Sequence, residues 1–202
     1  MSGRKQFAPD AALEKAMTVF WERGYEATTI DQLVVSTGLG RSSLYSTFGD
    51  KESLFLRCLA RYEETVAARL LEALQRHPSD ALLAVGGMFD AILTRLRTTT
   101  SPSGCLITLT AAERSTLTPA VQARIDDLLS AQVRAVRAVL TASRQRGRAP
   151  HAGDADSLAE YLVGTAQSLA LLHRAGVPVA KLRGVAATAL HVLKPLEVLR
   201  LS

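Results

Sequence analysis

Residues 28–49, TTIDQLVVSTGLGRSSLYSTFG, decide the reading of this chain. Thr28 and Thr29 are residue types that cap helix N-termini. Ile30, Leu33, Val34 and Thr37 recur at helical spacing, which predicts a short helix with one mostly apolar face. Gly38 stops it, because the left-handed backbone that closes a helix costs glycine little. Leu39 and Gly40 make the turn. A second helix is predicted from about Arg41 to Phe48, buried through Leu44 and Phe48, which lie one turn apart. That leaves Arg41, Ser42, Ser43, Tyr45, Ser46 and Thr47 facing out. These side chains form hydrogen bonds and suit phosphate oxygens and base edges. Two short helices joined by a tight turn are one way a protein sets a helix into a DNA major groove.

Within the stretch, Val34, Gly38 and Leu44 are spaced so that two helices can cross closely. Many amphipathic helix pairs meet part of this pattern by chance, so the flanks carry much of the weight. Upstream, AALEKAMTVFWERGYEATTI (11–30) places Leu13, Ala16, Met17 and Phe20 on a helical stripe that Gly24 ends. Trp21 and Tyr25 are expected to pack this small domain. Downstream, LYSTFGDKESLF (44–55) offers Asp50 as the cap of the next helix, with Lys51 at its start. Phe–x–x–x–Gly–Tyr, Thr–Thr–Ile, Gly, Leu–Tyr–x–x–Phe and Lys–Glu–x–Leu follow in this order and spacing. The series resembles the TetR family of one-component transcription regulators, from Ala11 to Phe55, roughly a quarter of the chain. The remainder matches that family in length and helicity only. Two positions depart from the family pattern. Gly40 stands where the family usually has a capping Ser, and Thr47 where it often has His.

The resemblance implies an all-α fold: an N-terminal three-helix helix-turn-helix DNA-binding domain, residues 1–50, and a C-terminal helical effector-binding and dimerisation domain, residues 51–202. It implies a ligand-responsive regulator, by family precedent a repressor, that binds a palindromic double-stranded operator as a homodimer and is released by a small-molecule effector. Arg41, Ser42, Ser43, Tyr45, Ser46 and Thr47 would meet the major groove, and Thr29 and Lys51 would hold phosphates.

Composition bounds the alternatives. The chain has 202 residues, 48% hydrophobic, and a mean hydropathy of +0.12, enough for a folded core. No apolar run approaches the roughly 18 residues needed to cross a bilayer, and the N-terminus lacks the apolar segment of a secretory signal. Two cysteines, Cys58 and Cys105, make no disulfide framework, so the expectation is a cytoplasmic protein with reduced thiols. The net charge of +5 suits nucleic acid. Yet residues 1–60 carry seven basic and seven acidic side chains, so the excess lies further on. Arg4 and Lys5 sit on an arm that either reaches along DNA or is a solvated terminus.

Further on the pattern is helical throughout. A long helix is expected from Lys51 to about Arg76, with Leu54, Phe55, Cys58, Leu59, Tyr62, Val66, Leu70 and Leu74 on one face. A central helix follows from Asp80 to Leu96, then a loop over 98–104 and a short helix from Cys105 to Arg114. Thr118-Pro119 starts another long helix, and a second loop covers 146–154. Two last helices are expected at 156–175 and 179–193. Gly164, Ala166, Ser168 and Ala170 in one, and Gly184, Ala186, Ala187 and Ala189 in the other, permit close helix approach. In the family this pair usually builds a four-helix bundle with a second subunit; packing inside one chain is the alternative.

Met88, Phe89, Ile92, Cys105 and Leu109 are candidates to line an effector pocket, although for each one singly a place in the apolar core is the commoner role. Cys105 at a helix start is a candidate thiolate, against the commoner role of a small core residue. The four histidines have no metal-ligand spacing, and no phosphate loop, nucleophile elbow or dinucleotide fingerprint is present. The reading therefore carries no cofactor, no metal and no enzymatic activity. A helical module that captures a small apolar molecule or a protein, without sequence-specific DNA binding, is the alternative function.

Overall fold

The computed structural model describes residues 9–98, 102–147 and 154–194. Arg4, Lys5, His151 and parts of both expected loops lie outside the described residues. The described residues form helices and turns, with no strand among them. They divide into two compact units. One comprises the described residues within Met1–Thr65 and Leu106–Ile125, the other those within Val66–Cys105 and Asp126–Ser202. This division by packing differs from the expected boundary at residue 50: residues 51–65 and 106–125 pack with the N-terminal helices.

In the first unit, α1 (Pro9–Arg23) packs against α2 (Ile30–Thr37), α4 (Lys51–Tyr62) and α7 (Leu106–Ala112), and α3 (Arg41–Phe48) lies between α2 and α4. Contact on three sides explains why α1 buries more than a stripe: Ala12, Ala16, Met17, Val19, Phe20 and Trp21 are all inside, while Leu13 is half-buried. An aromatic cluster holds the unit together. The Phe20 and Phe55 rings meet edge-on at 4.8 Å, Trp21 meets Tyr62 at 4.9 Å, and Tyr25 leans on Phe55 at 4.8 Å. Cys58 is fully buried in this core; burial pushes its thiol pKa up, so it stays protonated and inert.

The helix expected over 51–76 is interrupted. A π-helical turn, Glu63–Ala67, separates α4 from α5 (Ala68–Gln75). It shifts the buried face by one residue, so that Ala67 rather than Val66 follows Tyr62 into the interior. Thr65 Oγ1 donates to the Arg61 carbonyl at 2.7 Å within this turn. Two other boundaries differ. Cys105 precedes α7 instead of opening it, and a 3-10 turn at Arg114–Thr116 replaces the end of that helix. The last helix, α10 (Val179–Ala189), tightens into a 3-10 turn over Leu190–Leu193.

In the second unit, α6 (Ala81–Leu96) is the central element. It packs against α5, α9 (Ala155–Arg174) and α10. Asp80 caps it, and Val85, Met88, Phe89, Ile92 and Leu93 are buried in one apolar cluster with Leu140, Leu162, Leu169 and Leu182. α8 (Pro119–Gln145) contributes residues to both units, with Val136 and Leu140 buried in this second one. The small residues of the last two helices divide. Ala166, Ala170, Ala186 and Ala189 are buried within the unit, whereas Gly164, Gly184 and Ala187 are exposed.

Candidate nucleic-acid interface

The candidate reading helix, α3, is built from its caps inward. Thr29 has extended backbone and closes a capping box. Its Oγ1 accepts from the Gln32 amide at 3.3 Å, and its own amide donates to Gln32 Oε1 at 3.0 Å. Leu33 and Thr37 anchor α2, and Thr37 Oγ1 donates to the Leu33 carbonyl at 2.7 Å. Gly38 closes α2 with φ +74°, and Gly40 caps α3 through backbone alone. Leu44 and Phe48 are buried, which orients the other side of α3 outward.

Arg41, Ser42, Ser43, Tyr45 and Ser46 are exposed, and Thr47 is half-buried at the edge of the same face. Tyr45 keeps 42% of its surface in solvent, so its ring is not part of the core. Arg41 pairs with Asp31 of α2 at 2.5 Å across an exposed surface. Such a pair costs little to open, so the guanidinium is held ready rather than consumed. The Ser46 hydroxyl donates to the Ser43 carbonyl at 3.1 Å, which leaves its oxygen able to accept.

Lys51 starts α4, behind the Asp50 cap whose Oδ1 accepts from the Ser53 amide at 2.7 Å. The Lys51 ammonium donates to the Glu26 carbonyl at 3.2 Å and lies 4.6 Å from the centre of the Tyr25 ring. Partial burial pulls its pKa below the ordinary value, against the opposing pull of the Glu26 and Glu113 carboxylates. Arg57, absent from the expected set, donates to the Thr47 carbonyl at 3.4 Å and covers the Phe48 ring. No local pattern marks it, because its partners come from another helix.

The other expected sites fall differently. Met88, Phe89 and Ile92 are together in the core of the second unit. Cys105 is half-buried, and Leu109, also half-buried, belongs to the first unit. Near Cys105 in sequence, the Ser103 hydroxyl meets His173 Nδ1 at 2.7 Å. Among the described residues no three His, Cys, Asp or Glu side chains gather to hold a metal, and no helix is long and apolar enough to cross a membrane.

Residues 12–58 match the family model of bacterial regulatory proteins of the tetR family, and residues 81–188 match that of the tetracyclin repressor-like C-terminal domain. The chain belongs to the TetR family. This TetR-family protein is a helix-turn-helix, DNA-binding transcriptional regulator and not an enzyme. It is 32% identical over 188 residues to the transcriptional repressor ComR of Escherichia coli K12, covering 93% of this chain and 90% of ComR. It is also similar to a cysteine mutant of the TetR-family regulator CifR solved with 26-bp operator DNA. Identity there is 30% and the TM-score 0.84, over 92% of this chain and 97% of that one. A TetR-family regulator from Agrobacterium tumefaciens, 22% identical, shares the fold with a TM-score of 0.84 over 93% of this chain and 97% of that one.

Proposed function

We propose that this regulator is a ligand-responsive repressor, acting in the cytoplasm, that binds a palindromic operator as a homodimer and leaves it when a small-molecule effector binds. The observation that carries the reading is the outward face of α3. Arg41, Ser42, Ser43, Tyr45 and Ser46 stand exposed on a helix whose opposite side is buried through Leu44 and Phe48. With Thr47 they would meet base edges and flanking phosphates, while Thr29 and Lys51 fix register on the backbone. Thr29 can still donate its hydroxyl proton while it caps α2, and the Lys51 ammonium has donors beyond its bond to Glu26. CifR holding operator DNA and ComR being named a repressor support the same reading for this chain.

Two reading helices roughly 34–36 Å apart match successive half-sites of a palindrome, so the reading needs a dimer. An apolar face on α9 and α10 supports it. Tyr161, Leu171, Leu172 and Val185 are exposed there, and Gly164 and Gly184 have open space beside their Cα atoms. For the effector, the apolar interior around Met88, Phe89 and Ile92, with Cys105 further along the same unit, is the candidate wall. An effector releases DNA only if it binds one spacing of the reading heads better than the other. In functional terms residues 1–50 are then the DNA-binding part and residues 51–202 the effector-binding and dimerisation part.

Selection from a randomised duplex pool at two salt concentrations tests the proposal. Enrichment of a palindrome, lost in an Arg41→Ala, Tyr45→Ala variant that stays folded and dimeric, is the expected result. DNA retained with no enriched motif, and released at the higher salt, would leave only nonspecific binding and favour the ligand-capture alternative.

A further inference from the structure

The loop between α1 and α2 is held from a distant part of the sequence. Glu113, just after α7, sends its carboxylate to this loop. Its Oε2 accepts from the Tyr25 amide at 2.9 Å and from the Glu26 amide at 3.2 Å. The carboxylate occupies the space beside the Gly24 Cα. A Cβ added at Gly24 would lie 1.9 Å from Glu113 Oε1. The same short loop carries the contacts that place both phosphate-holding candidates. Lys51 rests on the Glu26 carbonyl and the Tyr25 ring. Thr28, next to Thr29, donates its hydroxyl to the Gly24 carbonyl at 2.6 Å. Glu113 therefore anchors the support of Lys51 and the approach to the Thr29 cap, without itself lying in the reading helix.

We propose that Glu113 is a positioning residue for DNA binding: it sets the loop Gly24–Thr29, and through it the phosphate contacts of Lys51 and Thr29. This rests on the assignment of Lys51 and Thr29 to phosphates made above. It also makes α7 the element whose displacement would loosen the grip on the backbone while leaving the base-reading side chains of α3 intact.

The charge and the geometry of Glu113 predict opposite effects, which makes the proposal testable. A carboxylate near DNA repels phosphate, so simple removal of its charge strengthens binding. Loss of its positioning weakens binding equally on operator and unrelated duplex and lowers the salt dependence, as loss of a phosphate contact does. The measurement is duplex affinity against salt concentration for the full chain, wild type and variants, on a selected operator and on a scrambled duplex. Lys51→Ala first tests the underlying assignment: its log–log salt slope should fall by about 1. An unchanged slope there overturns the phosphate assignment itself.

Given that result, Glu113→Ala should lower the slope by about the same amount, and add almost nothing in the Lys51→Ala background. Glu113→Gln, which keeps an oxygen able to accept from the loop amides, should restore most of the slope. Should Glu113→Ala not fold, Glu113→Asp, which withdraws the oxygens by one methylene, takes its place with the same expectation. Tighter binding in both the Ala and Gln variants, or an unchanged slope in Glu113→Ala or its Asp substitute while Lys51→Ala lowers it, overturns the positioning role.

Discussion

At the scale of single residues, two glycines separate a backbone requirement from a packing requirement. Gly38 and Gly24 both have positive φ, +74° and +87°. Beside Gly38 there is open space, whereas Gly24 faces the Glu113 carboxylate. Gly38→Ala should therefore cost only the left-handed conformation, about 1–2 kcal/mol. Gly24→Ala should cost more, because the new Cβ also displaces the Glu113 carboxylate that accepts from the Tyr25 and Glu26 amides. Chemical denaturation of the two variants, compared by midpoint at equal slope, checks this. Equal losses would mean that Glu113 moves aside freely. Arg41 teaches a related lesson. A guanidinium suited to DNA is parked on Asp31 in the free protein, so its exposed position is orderly without being committed.

At the scale of elements, helix caps link sequence to pH. Asp50 caps α4, and Asp154 caps α9 by accepting from the Asp156 and Ser157 amides. Hydrogen bonds from Ser53 in one case and from Ser157 in the other hold both carboxyls below their ordinary pKa. The unfolded chain thus binds protons at a pH where the folded chain does not. The stability these caps add is complete above the ordinary carboxylate pKa and is lost as pH falls through the lowered folded value. Thermal melts of wild type and of an Asp50→Asn, Asp154→Asn variant, taken from neutral pH into the acid range below the ordinary carboxylate pKa, should draw together as pH falls. The variant should show the shallower decline. Parallel declines would show that these carboxylates do not contribute to the acid limb.

At the scale of the whole molecule, the exposed apolar face of α9 and α10 is the feature a monomer would not be expected to keep. Tyr161, Leu171, Leu172 and Val185 lie in solvent on helices whose other faces are well buried. A Leu171→Glu, Val185→Glu variant should sediment as a monomer, since a desolvated charge without a partner opposes association. Its operator affinity should fall far more than its affinity for a single half-site, because it loses the second reading helix. Wild type and variant sedimenting alike would remove these helices from the proposed dimer interface. The division of small residues fits this arrangement: Ala166, Ala170, Ala186 and Ala189 let α9 and α10 pack within the chain, and Gly164 and Gly184 are left outward.

Local sequence specifies the candidate reading unit. The Thr29 cap, the Gly38 stop, the Leu44 and Phe48 anchors and the Asp50 cap act over a few residues, so local spacing suffices to place α2, α3 and the start of α4. The family's motifs lie in that same local stretch. Other features depend on partners far apart in the chain and exist only once it has folded. Glu113 reaches Tyr25 across 88 positions, and no periodicity encodes that. The π-helical turn at Glu63–Ala67 shifts a buried face by one residue, where an unbroken helical repeat from Leu54 to Leu74 predicts no shift. Which small residues of α9 and α10 turn inward is likewise set by the neighbours they meet. A hydrophobic pattern says that a side chain will be buried, but the surface that buries it exists only after the chain has folded.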